Sequence, residues 1–235
     1  MKKLLFLILA FIKIGAYDIM NLQITPENSV FVFDLHGVVL KFSSDLVWQA
    51  FKDHPEKIKF VSRIGGWGIN QLIENSKEDL CIEHAAIRDN DSDKFVEATL
   101  NILNSHEPDK DVINLIKRLH SKGFKIFGCS NIGEKSLEHL KNDYPELREF
   151  FEEYFSGFQI PVKGNNFITK KDPQSYKDCK GMIKSVTGKD VKYILFVEDS
   201  LSKIDAAEKA VAEFKGVEFK SAAELEKLLK YKRII

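Results

Sequence analysis

Three apolar runs, each closing on polar or acidic residues, limit what this chain can fold into more than any other feature. Val30-Phe31-Val32-Phe33 closes on Asp34, with Gly37 just beyond. Phe124 to Cys129 closes on Ser130-Asn131, and Lys192 to Val197 closes on Glu198-Asp199. Each run is short and rich in β-branched or aromatic residues, the signature of a buried strand. Helical patterns separate them. Val112, Leu115, Ile116 and Leu119 share one face of a helix that Pro108 is expected to open and Gly123 to end. A helix near Gly133, a short strand within 153–158 and a helix over 172–185 follow. The chain then reads as helix 201–213, a strand near Val217-Phe219 and a final helix 221–230. Strands alternating with helices imply an α/β fold: a three-layer, Rossmann-like parallel sheet covered on both faces. Right-handed crossovers then bring every strand's carboxyl end to one edge, where such sheets bind ligands.

Between the first and second strands, residues 43–106 read as helical without a convincing strand. Leu46, Val47, Ala50 and Phe51 recur at helical spacing, as do Ile69, Leu72 and Ile73 past Gly65-Gly66, and Phe95, Val96, Leu100 and Leu103. The segment is expected to be a small helical cap inserted into a core made of 23–42 and 107–235. Gly65-Gly66-Trp67-Gly68 reads either as a gating loop, since glycines allow hinge motion, or as part of the cap's own core around Trp67.

Composition excludes several function classes. Lys+Arg and Asp+Glu both number 35, so no net charge argues for nucleic acid as a partner. Cys81, Cys129 and Cys179 are too far apart for a metal pair, and their odd number argues against a disulfide framework. Cys129, on a buried strand, reads as a small hydrophobe. His54, His84, His106, His120 and His139 show no metal-ligand spacing.

The chemistry therefore concentrates at the strand tips. Asp34, Ser130-Asn131 and Glu198-Asp199 converge on one sheet edge, with Lys170 or Lys171 just before a helix. Three acids together repel one another and lose hydration, so they need compensation. A divalent cation such as Mg²⁺ supplies it, preferring carboxylate, water and phosphate oxygens. A hydroxyl and a lysine suit a phosphoryl group, as hydrogen-bond donor and positive charge.

These motifs resemble those of the haloacid dehalogenase superfamily, whose phosphatases and phosphotransferases use an aspartate nucleophile. FVFDLHGVVL is similar to the first motif, a strand followed by D-x-D-G. IFGCSN is similar to the second, TKKDPQSY to the third, and ILFVEDS to the fourth with its paired acids. The order and spacing match across 29–220, and the segment 43–106 falls where the capped branch carries its cap. The stretches EPDKDVINLIKRLHSKGFKIFGCSN and YPELREFF resemble the small sugar-phosphate phosphatases of that branch. The resemblance implies a Mg²⁺-dependent phosphomonoester hydrolase acting on a small phosphorylated metabolite such as a sugar phosphate. Asp34 would be the nucleophile, and its carboxylate and the carbonyl of His36 would ligate Mg²⁺. Ser130 and Asn131 would bind the phosphoryl group, Lys170 would neutralise its charge and steady Asp34, and Glu198 and Asp199 would complete the metal site. A phosphotransferase or mutase and a haloacid dehalogenase are the alternatives within the superfamily. Metal-ligating acids at 198 and 199 weigh against the dehalogenase, which needs no metal.

The chain departs from the family pattern at two positions. His36 stands where phosphatases place a second Asp as general acid and base. An imidazole, with an ordinary pKa of about 6.5, could do both jobs. It could equally be a packing residue, or mark a domain that binds a phosphate ligand without turning it over. Lys171 replaces the proline that usually follows the third-motif lysine; Lys170 is favoured because Asp172, Pro173 and Tyr176 then keep their places.

The amino terminus, Lys2-Lys3 followed by the apolar run Leu4–Ile12 and small residues up to Ala16, reads as a signal peptide within a hydrophobic segment spanning 1–22. The run is too short for a stable membrane span, which takes about 20 apolar residues. Export to the periplasm or outside is expected if it is cleaved, and a cytoplasmic protein if it is not. Cleavage should leave a mature chain beginning near Tyr17. Amino-terminal sequencing of native protein checks this, and an intact Met1 in the soluble cytoplasmic fraction would contradict it.

Overall fold

The computed structural model describes residues 19, 21–43, 106–132, 134–159, 162–163, 166–167, 170 and 172–235. The expected signal peptide, residues 44–105 of the expected cap with Gly65-Gly66-Trp67-Gly68, and Lys171 lie outside the described residues.

β1 (Ser29–Phe33), β4 (Lys125–Cys129), β5 (Phe155–Gln159), β8 (Tyr193–Glu198) and β9 (Phe214–Glu218) form a parallel sheet in the order β5-β4-β1-β8-β9. From β1 the chain builds outward through β4 to β5, then returns to the other side of β1 for β8 and β9. β1 is thus the switch point of the sheet, and in such sheets ligands bind beyond the carboxyl end at that point. Phe33 pairs with Gly128 on one side and Val197 on the other, so the three central strand tips end level.

The alternation along β1 divides the core into two layers. Phe31 and Phe33 face one side with Ile126, Leu195 and Val197. That side is covered by α1 (Lys110–Ser121), α2 (Glu134–Asp143), α3 (Pro145–Tyr154) and α6 (Ala222–Tyr231), through Val112, Ile116, Leu140, Phe151 and Leu225 among others. Val30 and Val32 face the opposite side with Phe127, Ile194, Phe196 and Phe214. There α4 (Pro173–Thr187) and α5 (Leu201–Ala210) contribute Tyr176, Cys179, Ile183 and Ala207. Gly216 in β9 sets how closely α5 approaches. A Cβ there would lie 2.0 Å from Ile204 Cγ2, so only glycine lets the helix seat. Among the described residues, no helix is long and apolar enough to cross a membrane.

Several boundaries differ from the sequence expectation. Pro108 does not open α1; it ends β3 (His106–Pro108), which pairs antiparallel with β2 (Leu40–Phe42). Asp109 is the cap instead, its carboxylate accepting from Asp111 N at 3.0 Å and Val112 N at 3.2 Å. A proline fits the end of a two-stranded ribbon, and an N-cap needs a side-chain acceptor that proline lacks. His106 is therefore a strand residue rather than the end of a helical segment. The last strand begins at Phe214, earlier than expected, because Lys215 and Gly216 interrupt its apolar pattern. α5 ends at Ala210 for the same reason, the chain turning directly into β9. The small ribbon of β6 (Val162–Lys163) and β7 (Asn166–Phe167) has no signal in the sequence pattern.

Phe214 makes edge-to-face contacts with Tyr176 (5.6 Å) and Phe196 (5.7 Å) and is fully buried. Phe214→Ala should therefore cost about 3–5 kcal/mol of stability, the usual range for deleting a core phenylalanine. Urea unfolding of the two proteins checks this; a loss under about 1 kcal/mol would mean the layer repacks freely.

Candidate active site

β1 delivers Asp34 to the sheet edge directly after its last paired residue, and Asp34 N still bonds Val197 O at 3.0 Å. The strand pairing thus fixes the backbone of Asp34, and the carboxylate is nearly fully buried. The chain then reverses in a tight loop. Leu40 N donates to Leu35 O at 2.8 Å and Gly37 N to Leu40 O at 2.8 Å. Gly37 has φ +83°, and a Cβ on it would fall 2.2 Å from Asp199 Oδ2. A glycine is therefore required both by the backbone and by the close approach of Asp199.

Lys170 occupies the centre of the site. Its ammonium lies 2.6 Å from Asp34 Oδ2 and 2.6 Å from Glu198 Oε2, with no exposure to solvent. Asn131 fixes its backbone, Oδ1 accepting from Lys170 N at 2.9 Å. Tyr176 holds it from below, donating to Lys170 O at 2.6 Å. The Phe196 ring lies 5.7 Å from the ammonium. A lysine so enclosed is tolerable only because two carboxylates and a ring face surround it.

Lys203, in the first turn of α5, adds a second ammonium. It lies 3.3 Å from Glu198 Oε1 and 3.6 Å from Asp34 Oδ2. Its carbonyl is 3.0 Å from the same Tyr176 hydroxyl. Asp34 Oδ1 accepts from Leu35 N at 2.7 Å, and Glu198 Oε1 from Ser200 N at 3.1 Å. Burial pushes Asp34 up, but Lys170, then Lys203, override it and hold the carboxyl well below the usual range. Glu198 is pushed up to about 9, by burial first and then by the charge on Asp34. The same opposition keeps Lys170 charged: burial works against its ammonium, while Asp34 and Glu198 raise it well above an ordinary lysine. The environment thus keeps Asp34 ionised and makes Glu198 the weaker acid of the two.

Ser130 follows β4 at the neighbouring strand tip. It is buried, and its hydroxyl has no hydrogen-bond partner among the described residues. A buried hydroxyl left unpaired costs free energy, which a bound acceptor would recover. Asp34, Glu198 and Asp199 each offer a carboxylate oxygen within 4.8 Å of the others, Asp199 from the exposed side. That all-oxygen set suits a hard divalent cation better than a soft one.

His36 is half-buried, its ring centroid 4.6 Å from that of His106 at 66°. Burial and then the adjacent imidazole push it down to about 3, against the pull of Asp34, with Lys170 and Lys203 also lowering it. It is therefore neutral near pH 7 in this setting. Such a ring does not stand ready to donate a proton, unlike the imidazolium the sequence reading allowed, and it is a weaker base than an ordinary histidine.

The edge of β1, β4 and β8 brings together Asp34, Ser130, Asn131, Lys170, Glu198 and Asp199, with His36 on the loop beside them. A match to the family model for haloacid dehalogenase-like hydrolases spans residues 29–210. The chain belongs to this family. Solved structures agree on the fold. A haloacid dehalogenase (HAD) family enzyme, BT-2542 of Bacteroides thetaiotaomicron, solved as a magnesium complex, superposes with a TM-score of 0.61 at 18% identity, over 86% of this chain and 98% of that one. L-2-haloacid dehalogenase from Xanthobacter autotrophicus gives 0.57 at 14% identity, over 86% and 82%. No curated protein sequence matches the chain. As a haloacid dehalogenase-like hydrolase the chain is an enzyme.

Two neighbours of the site had not been assigned from sequence. Lys203 carried a signal that could have found it: a lysine in the first turn of a helix opposes the helix dipole, so it needs acidic partners. His106 carried none, because only the long-range pairing of β2 with β3 brings it to His36. Lys170→Met should leave Asp34 and Glu198 facing each other without their central cation and cost about 3–5 kcal/mol. Thermal or urea unfolding near neutral pH measures it, and an unchanged midpoint would show that the ammonium does not hold the acids together.

Proposed function

We propose that this hydrolase cleaves phosphomonoesters through an aspartyl-phosphate on Asp34, with Mg²⁺ as cofactor. The observation that carries the proposal is the buried hydroxyl of Ser130, unpaired among the described residues, beside an ionised Asp34. A phosphoryl oxygen would satisfy the first while the second attacks phosphorus. Asp34 needs no base to become a nucleophile. Attack forms the Oδ–P bond and breaks the ester P–O bond in line, and the released oxygen takes up a proton. Ser130 and Lys170 hold the phosphoryl oxygens as charge redistributes, while Asn131 keeps Lys170 in place. In the second half-reaction, water attacks phosphorus, the Oδ–P bond breaks to release Asp34, and the water's protons leave on the phosphate. Mg²⁺, when held by Asp34, the His36 carbonyl, Glu198 and Asp199, supplies charge stabilisation to the phosphoryl oxygens. The acids at 198 and 199 favour this reading over dehalogenation, and BT-2542 has been solved with magnesium and inorganic phosphate. The substrate is a small phosphorylated metabolite, with sugar phosphates as the first class to test. Residues 23–42 and 107–235 form the catalytic core in this reading, and 43–106 the cap that selects the substrate.

A second reading rests on His36. A chain with imidazole where the family's phosphatases place an acid could bind a phosphate ligand without turnover.

An aryl phosphate is the first probe, because its leaving oxygen departs without help from a general acid. Phosphate release is expected with Mg²⁺ and is expected to vanish in chelator. Asp34→Asn, nearly isosteric but unable to form the intermediate, should lower the rate at least 10³-fold, in line with the roughly 10⁶-fold or larger accelerations of enzymes. Retention of a tenth of the wild-type rate by Asp34→Asn would exclude the covalent mechanism. Halide release from a 2-haloacid, with none of phosphate, would assign dehalogenation. Phosphate binding with no turnover of any ester would favour the second reading.

A further inference from the structure

All four oxygens of Asp34 and Glu198 are already engaged. Asp34 Oδ1 takes the Leu35 amide and Oδ2 takes Lys170 and Lys203. Glu198 Oε2 takes Lys170, and Oε1 takes the Ser200 amide and Lys203. Asp34 Oδ2 and Glu198 Oε1 each take two donors, so a divalent cation binding at either of these oxygens must displace one. Two of the donors are backbone amides, fixed by the chain. Lys170 is wholly buried and held at 2.6 Å on both acids. Lys203 differs in each respect: its side chain is 21% exposed and its contacts are the longest, at 3.3 and 3.6 Å. It also sits in the first turn of α5, where the helix dipole opposes a positive charge. The acids therefore hold it there, and solvent is open to it if it leaves.

We propose that Lys203 is a tethered counter-cation that occupies the place of the divalent metal between Asp34 and Glu198, and that metal binding requires its side chain to swing out. The inference rests on the metal reading above and adds a competitor built into the chain. In the metal-free protein Lys203 offsets the repulsion between the two acids. On metal binding the ion takes over that role, and the ammonium moves to solvent. The chain thus sets its own threshold for metal, because an ion at those two oxygens must first break the ion pairs that Lys203 makes.

The test is calorimetric titration of the full-length protein with Mg²⁺ alone, without substrate. Lys203→Met should bind Mg²⁺ roughly tenfold tighter or more than wild type, since a cation a few ångströms from the site opposes a second one strongly. Lys203→Gln, which keeps a polar head without charge, should do the same, and Lys203→Arg should stay close to wild type. Lys209→Met removes an equal charge from an exposed position on the same helix and should leave the affinity unchanged. Without Mg²⁺, Lys203→Met should melt below wild type, and saturating Mg²⁺ should close that gap. Equal affinities for wild type and both uncharged variants would overturn the proposal while leaving the metal reading intact. So would a gain in Lys209→Met as large as in Lys203→Met. No Mg²⁺ binding by any of the proteins would overturn both.

Discussion

The ammonium of Lys170 between Asp34 and Glu198 is the interaction on which the site depends. Two carboxylates arriving on neighbouring parallel strands cannot be buried side by side without a cation. The lysine that supplies it comes from a different part of the chain, just before α4, and its place is secured by Asn131 and Tyr176. The sheet register, the cap of α4 and the second core layer therefore all converge on one nitrogen. The aromatic trio of Tyr176, Phe196 and Phe214 links that nitrogen to the core beneath it.

The central strands and most of the site were legible because they rest on local patterns. A buried strand announces itself by a short apolar run, and the polar residue that ends it is placed at the sheet edge by chain direction alone. Asp34, Ser130, Glu198 and Asp199 all follow from this, while the helix start pointed to Lys170 or Lys171 and only the third-motif resemblance favoured Lys170. What was not legible depends on pairing between distant segments. The β2–β3 ribbon, the position of Pro108 within it and the contact of His36 with His106 arise from residues brought together by folding. Phe214–Glu218 was misplaced for a local reason, a glycine in mid-strand that serves the approach of α5 rather than the strand. The state of His36 also escaped the sequence, since burial and then His106, a neighbour the sequence does not pair with it, set its ring.

Electrostatics divide the labour among the acids in a way that composition hides. Equal numbers of acidic and basic residues across the chain give no field of consequence, yet within the site two lysines meet two buried carboxylates. Asp34 keeps its charge, Glu198 is eased toward a proton, and Asp199 stays at the solvent side. Asp34 and Glu198 stand at the same 2.6 Å from Lys170, and what separates them is that the charge on Asp34 adds to burial at Glu198. Membership of the haloacid dehalogenase-like hydrolases accounts for the architecture, and these local differences decide what this member does with it.

The ribbon of β2 and β3 has a consequence for how such a chain can change over time. Phe42 and His106 lie opposite each other, so the ends of the chain between them meet at one place. Closing a loop costs entropy that rises only with the logarithm of its length, and here the two-stranded stem has already brought the ends together. Whatever lies between them can lengthen, shorten or be exchanged with little effect on the sheet. The two-stranded stem holds that edge of the core in place whatever the length of chain between its ends.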